Sequence, residues 1–307
     1  MEGIVIQSTG SWYEVSVEGR RFQARLRGKM RQTISGLSNP IAVGDRVLLA
    51  QDGEDGDTTI EDILPRNNYI IRRSPRNKHH KHIVASNLDQ AFLVVTLSHP
   101  RTSLGFIDRF VVNTATYHIP TSLVFNKADR LEPEERVRQH EVAELYQSLG
   151  HPTFLVSAKS GEGLPSLRDA LRNKVTLLAG HSGVGKSSLA NALEPGLGLK
   201  VREVSTASGK GMHTTTYATM HALDMGGFLV DTPGIKEFGI VDLEREEVGH
   251  YFPEIAERME HCRFHNCLHL GEPGCAVLEA LDRGEIAGSR FDSYQSILED
   301  TGQEEWG

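Results

Sequence analysis

Gly180-His181-Ser182-Gly183-Val184-Gly185-Lys186-Ser187 is the stretch that decides the fold. It fits G-x-x-x-x-G-K-S. An apolar, β-branched run precedes it, Val175-Thr176-Leu177-Leu178-Ala179, and a helical pattern follows, Ser188-Leu189-Ala190-Asn191-Ala192-Leu193. Strand, glycine-rich turn and helix in that order mark a phosphate-binding loop rather than a chance turn. The glycines let backbone N–H groups face a β-phosphate. Lys186 reaches the β- and γ-oxygens, and the Ser187 hydroxyl meets Mg²⁺. The helix N-terminus adds a favourable field for anions. All of Gly180, His181, Ser182, Gly183, Val184, Gly185, Lys186, Ser187 and Ser188 are assigned to nucleotide binding, and Lys186 also to catalysis.

Working outward, Asn126-Lys127-Ala128-Asp129 follows the strand pattern Ser122-Leu123-Val124-Phe125. A carboxylate there accepts from the guanine N1–H and exocyclic amine, a donor pair that adenine lacks, and such a site discriminates by about 10⁴-fold. Ser157-Ala158-Lys159 follows the next strand, where a backbone N–H can meet guanine O6. Asp231-Thr232-Pro233-Gly234 follows Phe228-Leu229-Val230. There Asp231 suits the Mg²⁺ shell through water, and the Gly234 N–H suits the γ-phosphate. The loop Ser205 to Thr216 contains His213-Thr214-Thr215-Thr216, and one of its threonines is expected on Mg²⁺. An ordinary GTPase runs phosphate loop, switch threonine, Asp-x-x-Gly, Asn-Lys-x-Asp, Ser-Ala-Lys. Here the last two come first, so the domain is circularly permuted and its second switch runs straight into the C-terminal segment.

The flanks differ from this centre. Residues 1–65 read as five short strands, at Gly3 to Ile6, Trp12 to Val17, Phe22 to Leu26, Val43 to Ala50 and Thr58 to Ile63. They suit a small barrel of the OB type, with an SH3-like barrel as the alternative. Residues 66–88 read as a basic, polar linker. From Asp89, strand and helix patterns alternate, which implies a mostly parallel sheet with helices on both faces. After about residue 240 the chain is acidic and helical. Residues 231–307 hold 6 Lys/Arg against 18 Asp/Glu, and so account for more than the whole net charge of −8. Two N-terminal stretches are purely basic: Arg20, Arg21, Arg25, Arg27, Lys29 and Arg31, then Arg66, Arg72, Arg73, Arg76, Lys78 and Lys81 with His79, His80 and His82. They read either as a solvated charged face or as a phosphate-contacting surface for RNA.

The three cysteines, Cys262, Cys267 and Cys275, fall within fourteen residues. That is a poor disulfide framework and suits a reducing compartment. With His269 they supply the Cys₃His set of a structural zinc site, and His261 and His265 are alternatives for the imidazole. No run reaches the roughly 18 apolar residues of a membrane span. No signal peptide or lipidation motif is seen, and the expected location is the cytoplasm.

The permuted order, the cysteine spacing and the N-terminal barrel pattern together resemble the RsgA (YjeQ/EngC) family of ribosome small-subunit-dependent GTPases. Gly209-Lys210-Gly211-Met212-His213-Thr214-Thr215-Thr216 and Asp231-Thr232-Pro233-Gly234-Ile235-Lys236-Glu237-Phe238-Gly239 look like that family's switches. The resemblance implies a multidomain protein with an OB-fold RNA-binding domain at 1–66, a linker at 67–88, a GTPase domain at 89–240 and a zinc-binding helical domain at 241–307. It also implies late maturation of the small ribosomal subunit, rRNA contacts through the barrel and zinc domains, and GTP hydrolysis to GDP stimulated by the subunit. A monomer is expected, with one Zn²⁺ and with Mg²⁺ accompanying GTP. By resemblance Thr215 is the Mg²⁺ threonine. Ile235 stands where Ras-type proteins carry a water-orienting Gln, so another group must help turnover. His213, just before the threonine, is the candidate, and its alternative is a switch residue with no catalytic part. The competing classes are an ATPase or nucleotide kinase, which the Asn126–Asp129 motif opposes, and a regulatory GTP-binding switch whose effector lies outside ribosome assembly.

Overall fold

The computed structural model describes residues 1–10, 12–27, 40–52, 57–73, 81–201, 218–232 and 243–302. Five strands open the chain: β1 Glu2–Ser8, β2 Tyr13–Val17, β3 Arg20–Leu26, β4 Arg46–Asp52 and β5 Asp57–Ile63. Alternation along them drives Val5, Tyr13, Val15, Ala24, Val47, Leu49 and Ile60 into one small core. The strands close in the order β1-β2-β3-β5-β4 and back to β1, with only the β3–β5 pair parallel. This closed five-stranded Greek-key order is that of an OB-type barrel and decides against the SH3-like alternative.

Residues 67–88, expected as an irregular linker, instead contain two paired strands, β6 Tyr69–Arg73 and β7 Lys81–Ser86. Their apolar runs, Ile70-Ile71 and Ile83-Val84-Ala85, are too short to show a period, yet they are buried. Asp45, fully buried, fastens this hairpin to the barrel. It accepts from Arg66 Nη2 at 2.6 Å, Ser86 Oγ at 2.6 Å and the Ala42 N–H at 2.8 Å. Arg66 is thereby committed inside the protein. Arg21 pairs with Glu14 and Arg27 with Glu61, each at 3.1 Å. Three of the arginines read as a phosphate-contacting surface therefore already have carboxylate partners. Lys29, Arg31, Arg76, Lys78, His79 and His80 lie outside the described residues.

The central domain runs β8 Gln90–Val95, α1 Leu104–Thr116, β9 Thr121–Phe125, α2 Pro133–Ser148, β10 Thr153–Leu155, α3 Leu164–Leu171, β11 Lys174–Ala179, α4 Lys186–Leu193, β12 Thr219–Ala222 and β13 Gly227–Asp231. The strand order is β10-β9-β8-β11-β13-β12, parallel except for β12. Because strand side chains alternate between faces, Leu93, Val95, Leu123, Phe125 and Leu177 pack with Ile107, Phe110 and Tyr146 of α1 and α2. Phe92, Val94, Val124 and Leu178 pack on the other face with Leu167 and Leu189 of α3 and α4. The barrel's β1 pairs with β12 at Gln7 and Thr219, so barrel and domain share one continuous sheet.

The remainder is helical: α5 Pro253–Met259, α6 Ala276–Asp282 and α7 Gly288–Gly302. Val248, Phe252, Ile255, Val277, Tyr294 and Ile297 form its core, and Val112 of α1 inserts into it. No helix among the described residues is long and apolar enough to cross a membrane.

Candidate nucleotide site and metal centre

Parallel pairing aligns the carboxyl ends of β9, β10, β11 and β13 at one edge of the sheet, where open α/β folds bind ligands. Each strand leads into a motif: Asn126 directly follows β9, Ser157 comes shortly after β10, Gly180 directly follows β11, and Asp231 is the last residue of β13. Chain order is irrelevant to this convergence, because adjacency in the sheet replaces adjacency in sequence.

Asn126 holds three loops together. Its Nδ2 donates to the Val184 carbonyl at 2.9 Å, and its Oδ1 accepts from the Ala158 N–H at 3.2 Å. Lys127, in the left-handed region at φ 67°, extends Nζ to the carbonyls of Gly183 at 2.6 Å and His99 at 2.7 Å. Ser157 Oγ donates to Asp129 Oδ1 at 2.6 Å and accepts from the N–H groups of Lys159 and Ser160. The Asp129 carboxylate is thus oriented by the very loop expected over the base. Two glycines are obligatory. At Gly180, φ +140°, a Cβ would lie 2.3 Å from the Val94 carbonyl oxygen, and at Gly185, φ +96°, 2.5 Å from Asn126 Nδ2.

Lys186 opens α4 and donates from Nζ to the loop carbonyls of Gly180 at 2.6 Å and His181 at 3.0 Å. Burial holds it below the usual lysine range, and the Asp231 carboxylate partly offsets that shift. Burial likewise raises Asp231 above the usual carboxylate range, against the pull of Lys186. The two charges therefore attract one another in a region where burial disfavours both charged forms. Ser187 and Ser188 lie in the first turn of α4, and Ser182 in the loop turn before it. His213, Thr215 and Gly234 lie outside the described residues. The sequence reading missed the ring of Phe106 packed on His181, with centroids 3.8 Å apart. An aromatic residue in a helical pattern carries no signal of which loop it will meet.

The second site is local. The ligand atoms of Cys262, Cys267, His269 and Cys275 all lie within 4.8 Å of one another. His269 Nδ1 is 3.2 Å from Cys275 Sγ and 3.6 Å from Cys262 Sγ, and these two sulfurs are 3.9 Å apart. Four donors about 2.3 Å from one ion would stand about 3.8 Å apart, so the set fits a tetrahedral metal. His269 is 1% exposed, whereas His261 and His265 point to solvent, which settles the choice of imidazole. Glu272, another residue unmarked in the sequence, accepts from the N–H groups of Leu268 at 2.8 Å and Leu270 at 2.7 Å and shapes the loop carrying His269. Burial pushes the Cys267 thiol up to about 12 and raises Cys275 too, so a cation would be needed to hold these two as thiolates.

These features define a circularly permuted P-loop GTPase, with a five-stranded barrel before it and a Cys₃His cluster after it that could hold a metal ion. The chain belongs to the RsgA GTPase family: that family's GTPase model matches residues 63–241 and its N-terminal domain model residues 2–60. A relative from Bacteroides fragilis, the small ribosomal subunit biogenesis GTPase RsgA, is 46% identical over 98% of this chain and 97% of its own length. The protein of the same name from Porphyromonas gingivalis is 48% identical over 100% of this chain and 99% of its own. Among solved structures, YjeQ from Thermotoga maritima superposes with a TM-score of 0.80 at 38% identity, covering 98% of both chains. YloQ, a circularly permuted GTPase, gives 0.75 at 30% identity, covering 99% of this chain and 95% of its own.

Proposed function

We propose that this GTPase acts in the cytoplasm as a monomeric factor for small ribosomal subunit biogenesis, binding the subunit and hydrolysing GTP to GDP in response to it. The observation that carries this reading is the convergence of the permuted motifs on one sheet edge, in a chain flanked by a barrel and a Cys₃His cluster, together with near-full-length relatives bearing that role in their names. Residues 1–66 form the RNA-facing barrel, 67–88 join it to the GTPase domain of 89–240, and 241–307 form the metal-binding domain. Zn²⁺ suits three thiolates and one imidazole, and its role there is structural because no ligand position is left open.

In the cleft, Asp129 and a backbone N–H of the Ser157-Ala158-Lys159 loop read the guanine, and the loop from Gly180 to Ser188 wraps the phosphates. Lys186 neutralises charge on the transferred group. Ser187, Thr215 and, through water, Asp231 would hold Mg²⁺, which would supply further charge neutralisation at the phosphates. Ile235 cannot orient water, so His213 is assigned that task.

The test is GTP turnover with and without purified small subunits. Strong stimulation by small subunits and none by large ones is expected; equal rates in all three conditions would overturn the reading. His213→Ala is expected to keep GTP affinity and lose the stimulated rate, and an unchanged stimulated rate would remove His213 from the mechanism.

A further inference from the structure

Helix α1 is gripped on two sides. In its first turn Phe106, whose N–H is capped by Ser103 Oγ at 3.2 Å, lies against His181 at a ring separation of 3.8 Å. His181 is the second residue of the phosphate loop, and its carbonyl accepts from Lys186 Nζ. Two residues further on, roughly half a turn around the helix, is Asp108. It is fully buried and accepts from Arg290 Nη1 at 2.5 Å and Tyr146 Oη at 2.6 Å. Arg290 of α7 is 1% exposed, donates from Nε to Glu254 at 2.7 Å and lies over the Phe252 ring at 4.5 Å. The next residue, Arg109, donates to Ser296 Oγ at 2.9 Å and pairs with Asp300 nearer the surface. The metal-cluster domain therefore holds α1 by buried charges on one side, while the other side touches the loop that orients Lys186.

We infer that Arg290 and Phe106 are positioning residues for GTP hydrolysis. Docking of the Cys₃His domain on Asp108 sets where the first turn of α1 sits. The Phe106–His181 stack passes that position to the carbonyls that hold Lys186. The inference rests on the assignment of Lys186 to the phosphates. A buried guanidinium bridging two carboxylates tolerates few geometries, so the docked position is narrowly defined, and a displacement of about 1 Å at a reacting centre can cost about 100-fold in rate.

The experiment is a double-mutant cycle on the full-length, metal-loaded protein, with single-turnover hydrolysis, KM for GTP, metal content and thermal midpoint measured for each variant. Phe106→Leu and Arg290→Gln are each expected to lower the chemical rate by about tenfold with KM changed less than about threefold. The double variant is expected to be no slower than the slower single, because both break one linkage. Phe106→Tyr is expected to restore the rate. Multiplying effects, an unchanged rate in Phe106→Leu, or a rise in KM without loss of rate would each overturn the inference. If Arg290→Gln does not fold, Tyr146→Phe, which removes the other donor to Asp108, replaces it in the cycle under the same criteria. Lys186→Ala run alongside separates the two readings: retained GTP turnover there sinks the assignment of Lys186, whatever the cycle gives.

Discussion

The nucleotide cleft and the Cys₃His cluster are built in opposite ways. The cleft gathers side chains from Asn126 to Asp231, and its loops are tied by bonds such as Asn126 to Val184, 58 positions apart. The cluster draws all four ligands from Cys262 to Cys275. Buried strands beneath the cleft fix its frame before any ligand arrives. The cluster stands on one short helix cap, at Cys275, and on a loop shaped by Glu272. A site spread across a sheet inherits the stability of the sheet, whereas a site within one loop depends on what it binds.

The largest effect should come from removing the metal. Binding energy for such sites is folding energy, of order 10–16 kcal/mol for structural zinc in peptides. Chelation of the full-length protein should abolish hydrogen-exchange protection in α5 and α6 and leave β8, β9 and β11 protected. Equal loss in both regions would erase the contrast. Next comes Arg290→Ala, which strands Asp108 and Glu254 in the interior and should lower unfolding free energy by about 3–5 kcal/mol. Denaturant titration followed separately in the two regions is expected to show the loss mainly in the helical region, and equal shifts in both would break the contrast. A smaller loss, about 1–3 kcal/mol, is expected for Asn126→Ala, which leaves the Val184 carbonyl and the Ala158 N–H without their partner. It should weaken GTP binding and leave metal content unchanged; a changed metal content would break the comparison from the other side.

The smallest effect concerns pH. Burial works to raise the Glu272 carboxyl, but the backbone N–H groups around it, including those of Leu268, Leu270 and Gly271, outweigh burial and hold it below its ordinary 4.5. A depressed carboxyl contributes stability that is present above the unfolded value and is lost as pH falls through the folded one. Wild type should therefore lose stability in acid more steeply than Glu272→Gln, with the gap between their thermal midpoints closing as pH drops below 4.5. Parallel curves would show that this carboxylate does not support the cluster.

Much of this was legible in the sequence. Local patterns placed the end of α4 at Leu193 and the strands β1 to β5, β9, β11 and β13 to within a few residues, because strand period, helix period and turn chemistry act over short distances. The hairpin of β6 and β7 was not legible, since charged residues interrupt its short apolar runs and only packing between the barrel and the central domain makes it a strand pair. Nor did composition show that Arg66, Arg21 and Arg27 already have carboxylate partners. An arginine's sequence neighbours do not say whether a carboxylate waits across the fold.

The sequence by itself determined the chemistry on offer: a phosphate-loop motif, a guanine-specificity motif and a Cys₃His set, in permuted order. These follow from residue type at fixed spacing, within reach of one turn of backbone. Only the tertiary structure decided how the parts bear on one another. Arg290 meets Asp108 across 182 positions, and Phe106 meets His181, because α7 packs on α1 and α1 packs on the sheet that carries the phosphate loop, and no local pattern carries that distance.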